Sequence, residues 1–78
     1  MHEVNRQVQT VLLNEEPVEL FKILKFQGLA SSGAHAKSLI DEGLVLVNGT
    51  IETRRRRKIQ DNDLVQIGEV TLRMTVSP

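Results

Sequence analysis

The chain has 78 residues, with ten Lys and Arg balanced by ten Asp and Glu, and 40% hydrophobic content that is mostly Leu, Val and Ile. That suffices for one aliphatic core and a single domain over 1–78, while the absence of Cys excludes disulfides, thiolate metal sites and a Cys nucleophile and suits a reducing cytoplasm. No apolar run approaches the roughly 18 residues that span a bilayer, and the N-terminus MHEVNRQVQTVLLNEEP is too polar and acidic for a signal peptide, so a soluble cytoplasmic domain is expected.

The segment QVQTVLL, residues 7–13, is β-branched and partly alternating and predicts a strand that Asn14, Glu15, Glu16 and Pro17 end. Pro17 suits the first position of a helix over 18–27, in which Leu20, Phe21, Ile23 and Leu24 form an apolar stripe opposite Glu19, Lys22 and Lys25. Gly28 stops that helix. Ser32 is the expected N-cap of a second helix over 33–42, which turns Ala36, Leu39 and Ile40 inward, points Lys37 away from the buried face and ends at Gly43. The period then changes to two. LVLVNGTIET reads as two strands joined at Asn48-Gly49, the strongest short hairpin signal. LVQI, residues 64–67, follows the turn Asp61-Asn62-Asp63, and after Gly68-Glu69 a last strand alternates Val70, Leu72, Met74 and Val76 with polar residues. This order predicts an α+β domain: two short helices packed on a small, mainly antiparallel sheet of four to five strands.

Half of the ten basic residues stand together at Arg54, Arg55, Arg56, Arg57 and Lys58. A run of like charge can be a solvated, flexible loop. Here predicted strands pin both ends, and five mutually repelling cations are unfavourable in a small domain unless a polyanion offsets them. A surface field depends on local charge because screening acts over about 8 Å, so a neutral chain can still carry a positive face. The free N–H groups at the start of the second helix, beside Gly33, offer a phosphate seat close to Lys37. In an extended run, Arg54, Arg56 and Lys58 share one side and Arg55 and Arg57 the other, and the first set is expected to do more of the binding. A nuclear localisation signal or a heparin patch uses the same charge density.

The ordered set Gly28-Leu29, Ser32, Ala36-Lys37-Ser38-Leu39-Ile40, Asp41-Glu42-Gly43, Val45-Leu46-Val47-Asn48-Gly49 and Thr53-Arg54 resembles the RNA-binding domain named after small-subunit ribosomal protein four, the S-four domain, over a core of 18–67. The chain departs from the family at Gly33, where a basic residue is frequent, and at Asn62-Asp63, where Gly-Asp is frequent. The stretches Ser32-Gly33-Ala34-His35-Ala36-Lys37 and Glu52-Thr53-Arg54-Arg55-Arg56-Arg57-Lys58-Ile59 are similar to the stand-alone bacterial YbcJ-like subfamily, a likeness that again singles out Arg54, Arg56 and Lys58. The resemblance implies an αL-type motif and a small, monomeric, non-catalytic protein without cofactor that binds structured RNA of the ribosomal or transfer class. It implies an RNA-contacting set of Ser32, Gly33, His35, Lys37 and Arg54, Arg55, Arg56, Arg57 and Lys58. S-four domains also accompany RNA-modifying enzymes, so a protein-interaction or assembly module for ribosomal or RNA-processing proteins is the alternative.

Other candidates have simpler readings. His35 beside Lys37 can hydrogen-bond RNA or be an ordinary surface histidine, and His2 needs no role. Two histidines without arranged acids do not make a metal site. Ser31 and Ser32 have no general base placed for them, and the acidic residues fit turns and helix ends, so no catalytic set is expected. Phe26 is expected under the first or last strand, not stacked on a base, and two Phe without Tyr or Trp cannot make a base-stacking platform.

Overall fold

Left-handed corners punctuate this chain. The computed structural model describes the backbone of residues 7–14 and 17–76; His2, Glu15 and Glu16 lie outside the described residues. The elements are β1 (Gln7–Leu13), β2 (Val18–Glu19), α1 (Leu20–Phe26), α2 (Gly33–Asp41), β3 (Val45–Val47), β4 (Thr50–Ile51), β5 (Lys58–Ile59), β6 (Leu64–Ile67) and β7 (Val70–Val76). A five-stranded sheet runs in the order β1-β7-β6-β3-β4, parallel between β1 and β7 and antiparallel elsewhere. The α+β expectation holds, with two helices on a mixed sheet.

Both helices end alike. Gly28 and Gly43 each take φ +77°, the N–H of each reaches back to Lys25 and Ile40 respectively, and the next N–H, of Leu29 or Leu44, reaches Leu24 or Leu39. This paired closure satisfies helix-end carbonyls and requires the left-handed residue that Gly adopts without steric cost. Ser32 caps α2 as expected, its hydroxyl accepting from the His35 N–H at 3.0 Å. Asn48 (φ 52°) and Gly49 (φ 85°) form the hairpin turn, and Asn62 at φ 72° shows why Asn serves in place of Gly there.

The core lies between the helices and the sheet. Leu20, Ile23 and Leu24 of α1 and Ala36 and Ile40 of α2 meet Val45, Val47, Val65, Leu72 and Met74 of the strands, all buried. Leu39 is half-buried against them. Alternation along β3 and β7 is what delivers these residues to one face.

Two expectations are corrected. The first helix starts at Leu20, and Pro17 stands outside it, because Val18 and Glu19 pair antiparallel with Ile59 and Lys58 in a separate two-stranded sheet. No local signal announces that pairing, since the partner strand is remote in sequence. Phe26 is not buried: it is 67% exposed at the end of α1.

Asn48 also has a role that a turn reading does not contain. Its amide donates to Asp63 Oδ1 at 3.0 Å and its carbonyl oxygen accepts the Leu64 N–H at 2.9 Å, tying the hairpin to the start of β6. Asn48→Gly keeps the turn conformation and removes both bonds. We expect it to lower stability by about 1–2 kcal/mol, read as a urea midpoint shift at unchanged m; an unchanged midpoint would show that neither bond contributes.

Candidate functional site

The basic run is not extended. Arg54 to Arg57 form a tight turn closed by the Arg57 N–H on the Arg54 carbonyl at 3.3 Å, and only Lys58 enters a strand. The period-two division of Arg54, Arg56 and Lys58 from Arg55 and Arg57 therefore does not hold. The physical reason is α1, whose first N–H groups have no carbonyl of their own helix to bond. Leu20 N–H donates to the Arg57 carbonyl at 2.9 Å and Phe21 N–H to the Arg55 carbonyl at 3.1 Å. The backbone of the arginine turn thus caps α1, and its side chains radiate outward.

Three carboxylates sort those side chains. Glu52, 7% exposed, accepts from the Arg54 N–H at 3.0 Å, from Arg54 Nε at 2.9 Å and Nη2 at 3.0 Å, and from Arg57 Nη1 at 2.8 Å. Arg55 makes a two-pronged contact to Asp41 at the end of α2, with Nε 2.9 Å from Oδ1. Glu19 receives Arg56 Nη1 at 3.2 Å, Lys22 Nζ at 3.5 Å and Lys58 Nζ at 3.7 Å. The Arg54 hydrogen bonds outweigh burial and hold the Glu52 carboxyl at about 2, far below its ordinary value. Hydrogen bonding to Arg55 lowers Asp41. Burial would raise Glu19, but the Arg56 hydrogen bond and the surrounding cations prevail and lower it. Arg54 and Arg55 shift upward in return, each through its carboxylate partner.

One ring gathers three cations, two of which Glu19 also holds. Lys37 of α2 sits 4.7 Å from the Phe21 centroid, Arg56 of the turn 5.3 Å and Lys22 of α1 5.9 Å. A cation over an aromatic face is held by the ring quadrupole, so three separate segments present their charges around one half-buried side chain. Gly33 lies under the same ring: a Cβ there would be 3.9 Å from Phe21, an ordinary contact. Lys37 is accordingly half-buried and leans on Phe21.

The structure therefore brings Lys37, Gly33 and the turn together, as the sequence suggested. His35 belongs to the cap of α2. Its Nδ1 accepts the Ser31 N–H at 3.0 Å and lies 3.2 Å from Ser31 Oγ. This corrects the expectation that no base stands near Ser31, yet the same nitrogen already serves the backbone, which fits a capping role. An accepting Nδ1 leaves the proton of the neutral ring on Nε2. Sequence reasoning missed Phe21 as an organiser, placing it in the apolar stripe, and missed Glu19, Asp41 and Glu52 as partners. The Glu52-Thr53-Arg54 motif was visible; the burial of its acid was not. Among the described residues, no group of three or more His, Asp or Glu could hold a metal ion.

The low pKa of Glu52 has a direct consequence. A carboxyl whose pKa falls on folding binds its proton more tightly in the unfolded chain, so acid favours unfolding. Its contribution is complete above about pH 4.5 and is lost as pH falls through about 2. Glu52→Gln is expected to cost about 2 kcal/mol at pH 7 and to flatten this acid limb in urea titrations. A variant with the wild-type acid limb would contradict the assignment.

With the geometry in place, the relatives become informative. Residues 11–75 match the S4 domain family. YbcJ of Escherichia coli strain K12 and YbcJ of Shigella flexneri are each 51% identical over 51 residues, spanning 64% of this chain and 73% of theirs. The solution structure of YbcJ from E. coli, described as revealing an alfaL motif involved in RNA-binding, has a TM-score of 0.63 at 34% identity over 96% of this chain and 95% of that one. Identity is thus higher over the shorter stretch than over the whole, which concentrates the likeness in part of the chain. A match of this extent makes the chain a YbcJ-like member of the S4 domain family.

Proposed function

We propose that this protein is a non-catalytic RNA-binding module that holds the phosphate backbone of structured RNA, of the ribosomal or transfer class, on the face around Phe21. The observation that carries the reading is the convergence of Lys37, Arg56 and Lys22 on that ring. Seven cations, Lys22, Lys37, Arg54, Arg55, Arg56, Arg57 and Lys58, are joined in this network to three carboxylates, Glu19, Asp41 and Glu52, an excess of four positive charges. The relatives support the class, since the motif of YbcJ is described as involved in RNA-binding.

The cations divide by availability. Arg57, with a side chain 29% exposed, and Arg54, 72% exposed but held by three hydrogen bonds to buried Glu52, serve the turn itself. Arg55, Arg56 and Lys58 are more than half exposed. The Arg55–Asp41 pair is open to solvent on both sides and screened by it. Glu19, though mostly covered, is shared by three cations, so a phosphate can draw one of them away without leaving the carboxylate unpaired. The emphasis therefore moves to Lys37, Arg55, Arg56 and Lys58, with Lys22 added.

Affinity for a transfer RNA should fall with salt at a log–log slope of roughly −2 to −4, the value for about three to five phosphate contacts. Arg56→Gln and Lys37→Gln should each weaken binding and reduce the slope by about 1, while Arg57→Gln should chiefly lower stability. A salt-independent affinity, or an Arg57→Gln variant that alone loses RNA, would reject the mechanism. Asp41→Asn, which releases Arg55, should tighten binding at low salt.

A further inference from the structure

Along the flank of α1 an open groove adjoins the cations on Phe21, and the phosphate reading leaves it unused. Ile23 lies in its floor, Leu12 and Phe26 line it, and Lys22, Arg56 and Lys58 stand at its rim around Glu19, the carboxylate that all three approach. Leu12 is 59% and Phe26 67% exposed. An aromatic ring left this far in water is apolar surface without a covering partner inside the described fold. Phe26 also follows Lys22 by one helical turn, which places ring and ammonium on the same side of α1.

The ligand that suits this arrangement has a flat apolar face and an adjoining anion. We infer that the groove seats one unpaired nucleotide of the bound RNA, its base against Phe26 and its phosphate toward Lys22 and Arg56. This deepens the reading given under Proposed function and rests on it. RNA held by the cations around Phe21 lies at the mouth of the groove, because Lys22 and Arg56 belong to both. A base inside a continuous A-form helix has no free face to offer, so the seat takes a bulged or looped nucleotide. An acidic protein segment would match the rim but has no use for the ring. A second copy of the chain would bring the same three cations against this rim. With one ring, the site reads a single nucleotide and is not a stacking platform.

Two hairpin RNAs, identical except for a one-nucleotide bulge carrying 2-aminopurine, test the inference. The chain has no Trp or Tyr, so the probe is read without interference. Wild type should bind the bulged RNA more tightly and quench its fluorescence. Phe26→Ala should lose roughly five- to hundredfold in affinity for the bulged RNA, with the paired RNA and its salt slope unchanged. Phe26→Leu, which keeps apolar bulk without a ring, should behave like Phe26→Ala. The exposure of Phe26 means that neither change disturbs the core. Equal wild-type affinity for the two RNAs, an equal loss for both in Phe26→Ala, or full preference retained by Phe26→Leu would overturn the seat and leave the basic face standing. A dimer dissociated by Phe26→Ala at unchanged RNA affinity would assign the groove to self-association instead. Failure of wild type to bind either RNA at low salt would remove the basic-face reading as well.

Discussion

The open end of α1 rests on the carbonyls of the arginine turn. Two hydrogen bonds, from Leu20 to Arg57 and from Phe21 to Arg55, satisfy N–H groups that the helix cannot satisfy itself, and they bring a polybasic segment onto the positive end of a helix dipole. That approach is electrostatically unfavourable for the charges and favourable for the carbonyls. Carboxylates reconcile the two. Glu52 binds the turn from within through Arg54 and Arg57, and Glu19, just ahead of the helix, takes Arg56 and Lys58. Without this seam the basic run has only the solvated, flexible loop that its sequence alone would permit.

Electroneutrality then has a structural meaning. The acids paired with the run are spaced by burial: Glu52 is sequestered, Glu19 is partly covered, and Asp41 is at the surface. Those with more exposure give up their cations more readily, because solvent already screens them. Under the proposed function, the same molecule folds as a neutral body and meets a polyanion as a positive one. Phe21 sets the direction of that face, holding Lys37, Arg56 and Lys22 near one ring although they come from α2, the turn and α1.

What the sequence made legible was local. The Asn48-Gly49 turn, the glycine stops at Gly28 and Gly43, the Ser32 cap and the alternation of buried Leu72 and Met74 with exposed Arg73 each depend on neighbours within a few residues, and each is found in place. The ordered motif set carried the family. The remainder depends on partners remote in sequence. The pairing of β2 with β5 moves the start of α1, the α1 N-terminus bends the basic run into a turn, and Asp41 and Glu19 reach Arg55 and Arg56 across the fold. Phe26 fails for the opposite reason: a phenyl ring carries a strong expectation of burial, and here the helix ends before any element covers it.

Amide chemical-shift mapping during a transfer RNA titration tests the central claim most directly, because it reports where the nucleic acid lies without altering a residue. The account predicts that perturbations at low salt concentrate at Phe21 and Lys22, at Gly33 to Lys37, and at Arg55 to Lys58, and that they fade together as salt is raised. Perturbations centred on the sheet face turned away from the helices, at Thr71 and Arg73, with Lys37 and Arg56 responding independently or not at all, would contradict it.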